Sequence, residues 1–340
     1  MSKRAAPQLA QAQYILPLKW SSDRELNSLC AYLTELAGWI SVLVVDGSEA
    51  PLFAAHASAF PPSVRHCPPE AAGCANGKVE GVLTGVRRSG CEYLVIADDD
   101  VRYTRETLER VVALLGEADV VRPQNYFAEP LPWHARWDTA RSLINRAFGS
   151  DYPGTLAVRK STLQGAGGYS GDVLFENLEL LRTIRAAGGR EVRADDVFVA
   201  RRSCTAGHFL RQRVRQAYDD FAQPGRLAAE MLLLPMLLAS VRRPGRLGVF
   251  AALSVLAAEV GRRRGGGAGV FSPDAALWAP LWVGERAVAV WLALSWRLRG
   301  GIPYSGARIR TAAHSVRTLR AFQTLQTAAA RADMASHFWS

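Results

Sequence analysis

Three aspartates stand side by side at positions 98–100, directly behind the apolar run YLVIA of residues 93–97. Like charges this close raise one another's affinity for protons and persist where a cation or a strong set of donors neutralises them. A bound cation is one arrangement that meets this need. An acidic turn fits the same residues, for Thr104 is a good N-cap and Leu108, Val111, Val112 and Leu115 follow at helical spacing. Asp46 closes a second apolar run, ISVLVV, in the same way. Glu176 and Glu179 lie three apart and share a helix face, as do Gln212 and Arg215.

Other chemistries are weaker. The histidines form no H-x-x-x-H pair, and no phosphate-loop or G-x-S-x-G stretch is present. Five scattered cysteines, Cys30, Cys67, Cys74, Cys91 and Cys204, include no C-x-x-C pair and read as reduced thiols. A net charge of +10 would favour nucleic acid if it were spread along the chain. From residue 227 onward, however, fourteen arginines face five acidic residues, interleaved with long apolar runs. No nucleic-acid partner is expected.

The elements that must carry these residues alternate short apolar strands with amphipathic helices, the pattern of a mostly parallel α/β sheet covered on both faces. Strands are expected at YILPL (14–18), at 40–45, at 93–97, at PGTLAV and at EVRADDVFVA. Helices are expected behind Ser22 or Asp23, from Val79 to Arg88, over PLPWHARWDTARSLINRAF, over VLFENLELLRTIRAAGG to Gly188, and over FLRQRVRQAYDDF. FPPSVRHCPPE and GAGGYSGD read as irregular. Two strands then end in aspartate at the carboxyl edge of the sheet, where open α/β folds place their ligands.

The order Asp46, NGK before a helix, DDD after a strand, a glycine-rich loop, FENLEL and QRVRQ resembles the family 2 nucleotide-sugar glycosyltransferases, which have the GT-A fold, over roughly residues 13–222. The resemblance implies that Asp98 and Asp100, at the D-x-D positions, hold Mg²⁺ or Mn²⁺, with Asp98 also on the nucleotide. It makes Asp46 the base-binding residue, which favours a UDP-sugar donor, and sets Lys78 near the nucleotide. Gln212 and Arg215 match the Q-x-x-R that holds the pyrophosphate, with Gln216 where tryptophan is usual. An inverting relative takes the acceptor proton with the aspartate of an E-D pair. Here Glu176 is followed by Asn177, whose carboxamide is no base. Glu176 is therefore the first candidate, Glu179 the reserve and Asp172 the next, and a catalytically impaired homologue that only binds sugar nucleotide or partners an active transferase is the second reading.

Residues 1–226 are thus expected to form the transferase domain and 227–340 an arginine-rich apolar helical region. No apolar run backs the first basic residues, so the catalytic part is expected in the cytoplasm. A spanning helix needs about 20 apolar residues. The first two tail segments are shorter and carry Glu230 and Glu259, and the third carries Glu285 and Arg286. Trp278, Trp282, Trp291, Trp296 and Tyr304 with flanking arginines mark a headgroup zone. Two crossings would put RRPGR and RRR on opposite sides, so interfacial helices or a shallow hairpin, and a lipid or lipid-linked acceptor, are expected.

Overall fold

The strands at the centre of the sheet are continuous runs of Val, Ile and Leu, the composition of strands buried on both faces. The computed structural model describes residues 7–71, 73–149, 151–304 and 306–337. In chain order the elements are β1 (Ala12–Leu18), α1 (Leu26–Ala37), β2 (Ser41–Asp46), α2 (Ala50–Ala59), β3 (Val64–Cys67), α3 (Gly77–Arg88), β4 (Tyr93–Ala97), β5 (Val101–Arg102) and α4 (Arg105–Leu114). There follow β6 (Val120–Phe127), α5 (Trp133–Phe148), β7 (Thr155–Arg159), α6 (Lys160–Gly165), α7 (Glu176–Ala186), β8 (Glu191–Arg201) and α8 (Ala206–Tyr218). The tail holds α9 (Pro224–Ser240), α10 (Pro244–Arg263), α11 (Ala279–Leu298), the hairpin β9 (Ile302–Tyr304) and β10 (Ala307–Ile309), and α12 (Val316–His337).

Eight strands form one sheet in the order β3-β2-β1-β4-β7-β6-β8-β5. β3, β2, β1 and β4 are parallel, β7 is antiparallel to both its neighbours, and β6 and β8 are again parallel. Successive residues of β1 point to opposite faces, so Tyr14 and Leu16 join a core with α1 and α4, while Ile15 joins one with α3, α6 and α7. This is the α/β GT-A arrangement, with a helical region after it.

Several boundaries differ from the sequence reading for local reasons. Neither Ser22 nor Asp23 caps α1, whose cap position is Glu25; Asp23 instead meets His56 Nε2 at 2.9 Å. α3 begins at Gly77 because Asn76 accepts from Lys78 N at 3.1 Å. α7 starts at Glu176, after residues 173–175 have bonded to the tail, and stops at Ala186. The proline-rich stretch contains the edge strand β3. β6 escaped notice because Pro123 sits inside it, tolerated where its register with β8 shifts between Pro123 and Gln124.

The tail packs onto the sheet domain through shared cores. Ala140, Leu143 and Ile144 of α5 cluster with Ala258 of α10 and Trp282 of α11, and Leu174 and Leu178 cluster with Ala289, Ala293, Ile302 and Ile309. Glu230, Glu285 and Arg286, which interrupt the apolar tail segments, are turned into the protein, while Glu259 pairs with Arg262 and Arg263 of its own helix. Arg286 is buried against Asp220 at 2.7 Å, and Arg226 holds Asp220 and Glu230 at 3.0 and 2.9 Å. Where α10 crosses α5 the backbones meet so closely that a Cβ at Gly261 would stand 1.8 Å from the Leu143 carbonyl oxygen. Gly261→Ala is therefore expected to force the helices apart and destabilise the protein by about 1–3 kcal/mol, seen as a lower denaturation midpoint.

Candidate active site

β1 and β4 lie side by side, yet the chain leaves β1 for β2 on its other flank. The sheet order reverses between β1 and β4, and a cleft opens past their carboxyl ends, as it does in open α/β sheets generally. The cleft holds about 500 Å³ and is walled by the ends of β1, β2 and β4, the start of α3, the start of α7, and α8, with Tyr304 from the tail hairpin.

Asp98, Asp99, Asp100 and Glu176 crowd one side of the cleft, and the protein supplies partners for them itself. Lys78, placed by the capped start of α3, bridges Asp98 at 2.5 Å and Glu176 at 2.6 Å. Burial works against its charge, but Asp98 and Glu176 outweigh it and hold the ammonium above its usual range. Arg201, at the end of β8, grips Asp100 through Nε at 3.1 Å and through Nη2 at 2.7 Å, and its Nη2 also stands 3.7 Å from Asp98. Burial pushes the Asp100 carboxyl up against the pull of Arg201. Asp99 turns aside and accepts from the Trp20 indole. Gly154 makes this crowding feasible: its carbonyl accepts from Asp98 N at 2.8 Å, and a Cβ there would stand 2.5 Å from Asp98 Oδ2. The acidic turn does also lead into a capped helix, for Thr104 accepts from Thr107 N.

Gln212, Arg215 and Gln216 of α8 line the cleft with Lys78, Asp98 and Asp100. Arg215 stacks its guanidinium 4.4 Å from the Tyr304 ring centre, and the Tyr304 hydroxyl donates to Asn76 Oδ1 at 3.2 Å. Asn177 lies in the wall and donates to the Pro153 carbonyl at 3.0 Å.

Three expected residues lie elsewhere. Asp46 is buried beneath the cleft, which touches Val45 and Gly47 on either side of it. Its Oδ2 meets His56 at 2.6 Å and His66 at 3.1 Å, and its Oδ1 accepts from Ser48 N at 2.9 Å, so both oxygens are engaged within the protein. Glu179 is fully buried on the far side of α7, where it accepts from His314 N and faces its Nδ1, both at 2.7 Å. One turn of helix thus separates the two glutamates into a cleft group and a tail anchor. Asp172 accepts from Ala75 N at 3.1 Å, outside the cleft lining. Arg201, Trp20 and Tyr304 were missed by the sequence reading. An arginine doublet closing a strand was a visible signal for the first, while nothing local marks a tail tyrosine as a cleft residue.

A mixed α/β sheet of this order, with carboxylates at its switch point, is the GT-A architecture of nucleotide-sugar transferases. Residues 26–168 match the model of glycosyl transferase family 2. No curated protein matches it in sequence. Among solved structures, a mannosyltransferase from Pyrobaculum calidifontis in complex with GDP-Man and Mn²⁺ is similar, at 16% identity over 86% of this chain and 90% of that one, with a TM-score of 0.47. Glucosyl-3-phosphoglycerate synthase from Mycobacterium tuberculosis, in complex with Mn²⁺, UDP and phosphoglyceric acid, is 15% identical over 58% of this chain and 73% of its own, with a TM-score of 0.39. Mannosyl-3-phosphoglycerate synthase from Rubrobacter xylanophilus is 12% identical over 59% and 70%, with a TM-score of 0.40.

The Asp46 network carries a pH signature. Burial alone would raise the carboxyl, but the hydrogen bonds from His66, Ser48 and His56 outweigh it and hold it well below the ordinary value of 3.8. A depressed native value means that the stabilisation is full above the ordinary value and is lost as pH falls toward the native one. Asp46→Asn is thus expected to lower stability by about 1–3 kcal/mol at neutral pH. That deficit should shrink in chemical denaturation below about pH 4.

Proposed function

We propose that the protein transfers a hexose, with inversion, from a nucleotide-sugar donor to a hydrophobic or lipid-linked acceptor at the membrane surface, with a divalent cation assisting. The observation that carries this reading is the convergence of Asp98 and Asp100 on one cationic nitrogen, Arg201 Nη2, at 3.7 and 2.7 Å. Two carboxylates aimed at one positive point are a donor set suited to Mg²⁺ or Mn²⁺. Among the described residues no three such side chains gather into a metal-binding group, so the donor's diphosphate would fill the other ligand positions. When bound, the cation would neutralise charge on the departing diphosphate. Asp98 and Asp100 would hold it in exchange for Lys78 and Arg201, freeing both cations to turn toward phosphate oxygens. Gln212 and Arg215 form the wall along which the diphosphate lies, and a UDP-sugar stays the favoured donor. Glu176 reaches the cleft and sets the position of Lys78.

The tail supports the membrane part of the reading. Two stretches, Pro244–Gly269 and Pro273–Leu298, are long and apolar enough to cross a bilayer. Their inner faces are taken up by α5, α8 and α9, while Val249, Leu253, Leu256 and Val260 form an exposed apolar stripe along α10 at helical spacing. A helix with one face on the protein and an apolar stripe outward suits the interfacial plane, which retains residues 227–340 as a membrane-associated region beside a cytoplasmic catalytic domain. The impaired-homologue reading draws on Asn177, which stands where the family has its base and is bonded to the backbone.

Two experiments test the proposal. Screening UDP-, GDP- and dTDP-sugars with Mn²⁺ should raise the melting temperature of the wild type, since a ligand of the native state stabilises it. Asp98→Asn and Asp100→Asn should abolish the metal-dependent part; full wild-type response in both would remove the cation from these residues. After cell lysis the protein should sediment with membranes and need detergent for release. Complete recovery in the supernatant without detergent would refute the apolar contact.

A further inference from the structure

A further carboxylate reaches the cleft from an element that the family resemblance leaves without a role. Asp219 opens the 3-10 turn Asp219–Ala222 behind α8 and lines the cleft with Glu176, Asn177 and Arg215. Its Oδ1 is buried and has no hydrogen-bond partner among the described residues. The next residue provides the contrast, for Asp220 is locked between Arg286 at 2.7 Å and Arg226 at 3.0 Å. A buried oxygen without a partner is costly, and a protein of marginal stability keeps one where a ligand or a proton completes it. The charged groups around Asp219 are Arg215 of α8, Glu176 of α7, Arg286 of α11 and Arg141 of α5. Burial pushes its carboxyl up to about 7, with Arg215 pulling downward and Glu176 adding to the rise.

We propose that Asp219 supplies the carboxylate missing at Asn177 and takes the proton of the acceptor hydroxyl during transfer. The inference rests on reading the cleft as a nucleotide-sugar site. In the step, the acceptor oxygen forms a bond to the anomeric carbon, the bond from that carbon to the diphosphate oxygen breaks with its electron pair leaving on the nucleoside diphosphate, and the hydroxyl proton passes to the Asp219 carboxylate. The other glutamates are committed: Glu176 is bridged to Lys78 at 2.6 Å, and Glu179 is bonded to His314 at 2.7 Å. A base whose affinity for protons matches the working pH is the efficient one.

The test compares the full-length wild type with Asp219→Asn and Glu176→Gln. Release of nucleoside diphosphate from UDP- and GDP-sugars, to water or to an added lipid extract, should fall roughly 10²–10⁴-fold in Asp219→Asn with donor KM little changed. The wild-type acid limb near pH 7 should vanish with it. Glu176→Gln, acting through Lys78, should raise KM more than it lowers kcat. Binding of UDP and GDP with Mn²⁺, followed by calorimetry, gives a readout independent of turnover. Ionised Asp219 repels the diphosphate beside Arg215, so wild-type affinity should weaken about tenfold as pH rises through 7, beyond any change in Asp219→Asn. Titration of the nucleotide itself is common to both proteins. A third readout is stability: because the native carboxyl sits above its ordinary 3.8, its ionisation penalises the fold increasingly as pH rises through 7. Asp219→Asn should therefore melt higher than wild type at pH 8, with the gap closing in acid, which also reports that the variant folds. If the nucleotides bind but Asp219→Asn matches the wild type in turnover and pH profile, the assignment of Asp219 is overturned while the nucleotide-sugar reading stands. Wild-type binding without any turnover overturns it in favour of a binding homologue. If no nucleotide or nucleotide sugar binds, the reading of the cleft itself fails.

Discussion

Negative charge at the end of β4 is the constraint around which the molecule is arranged. A buried strand that delivers three aspartates and meets a fourth carboxylate from α7 needs compensation, because unpaired charges in a partly dry cleft do not persist. The compensation comes from far along the chain: Lys78 from the first turn of α3, Arg201 from the last residue of β8, and the Trp20 indole behind β1. Each partner fixes the position of one element relative to the sheet. Glycine at 154 is part of the same demand, since only a residue without a side chain lets β7 pass beside Asp98. Lys78 and Arg201 occupy the carboxylate oxygens of Asp98, Asp100 and Glu176, so the resting cleft carries its own cations.

The same logic operates beneath the tail. Glu230, Glu285 and Arg286 looked, in a linear reading, like interruptions that disqualify the apolar segments. In the fold Arg286 and Glu230 meet Asp220, and Glu285 faces Arg213, so these charges point into the protein and the outer faces stay apolar. Such buried pairs are weak devices for stability, yet removing one member strands the other. Their effect is to dictate which face of each helix seats against the transferase region.

How much could be read from the sequence depended on whether the signal was local. The central strands and α4 with its Thr104 cap were legible because periodicity and short-range order encode them, while it was the family resemblance that singled out Lys78, Asp98, Asp100, Glu176, Gln212 and Arg215, all of which line the cleft. Asp46 and Glu179 sat in suitable motifs, but what their carboxylates face was decided by His56, His66 and His314, from other elements. Nothing within a few residues of either position announces those partners. Asp219 was passed over for the same reason, as its distinguishing property is the absence of a partner that Asp220, one residue on, possesses.

Residues 311–314 tie down the start of α7: the Thr311 and Ala312 carbonyls accept from Leu174 N and Phe175 N at 3.0 and 2.8 Å, while Tyr304 covers Arg215. The wall that bears Glu176 and Asn177 is therefore finished by chain that is synthesised more than a hundred residues later. On the ribosome the sheet can form while the cleft still lacks one side, so the nascent polypeptide has no assembled site until its apolar tail has emerged. The last wall of the cleft is thus a late addition, and the cleft closes only when the tail has folded back onto α7.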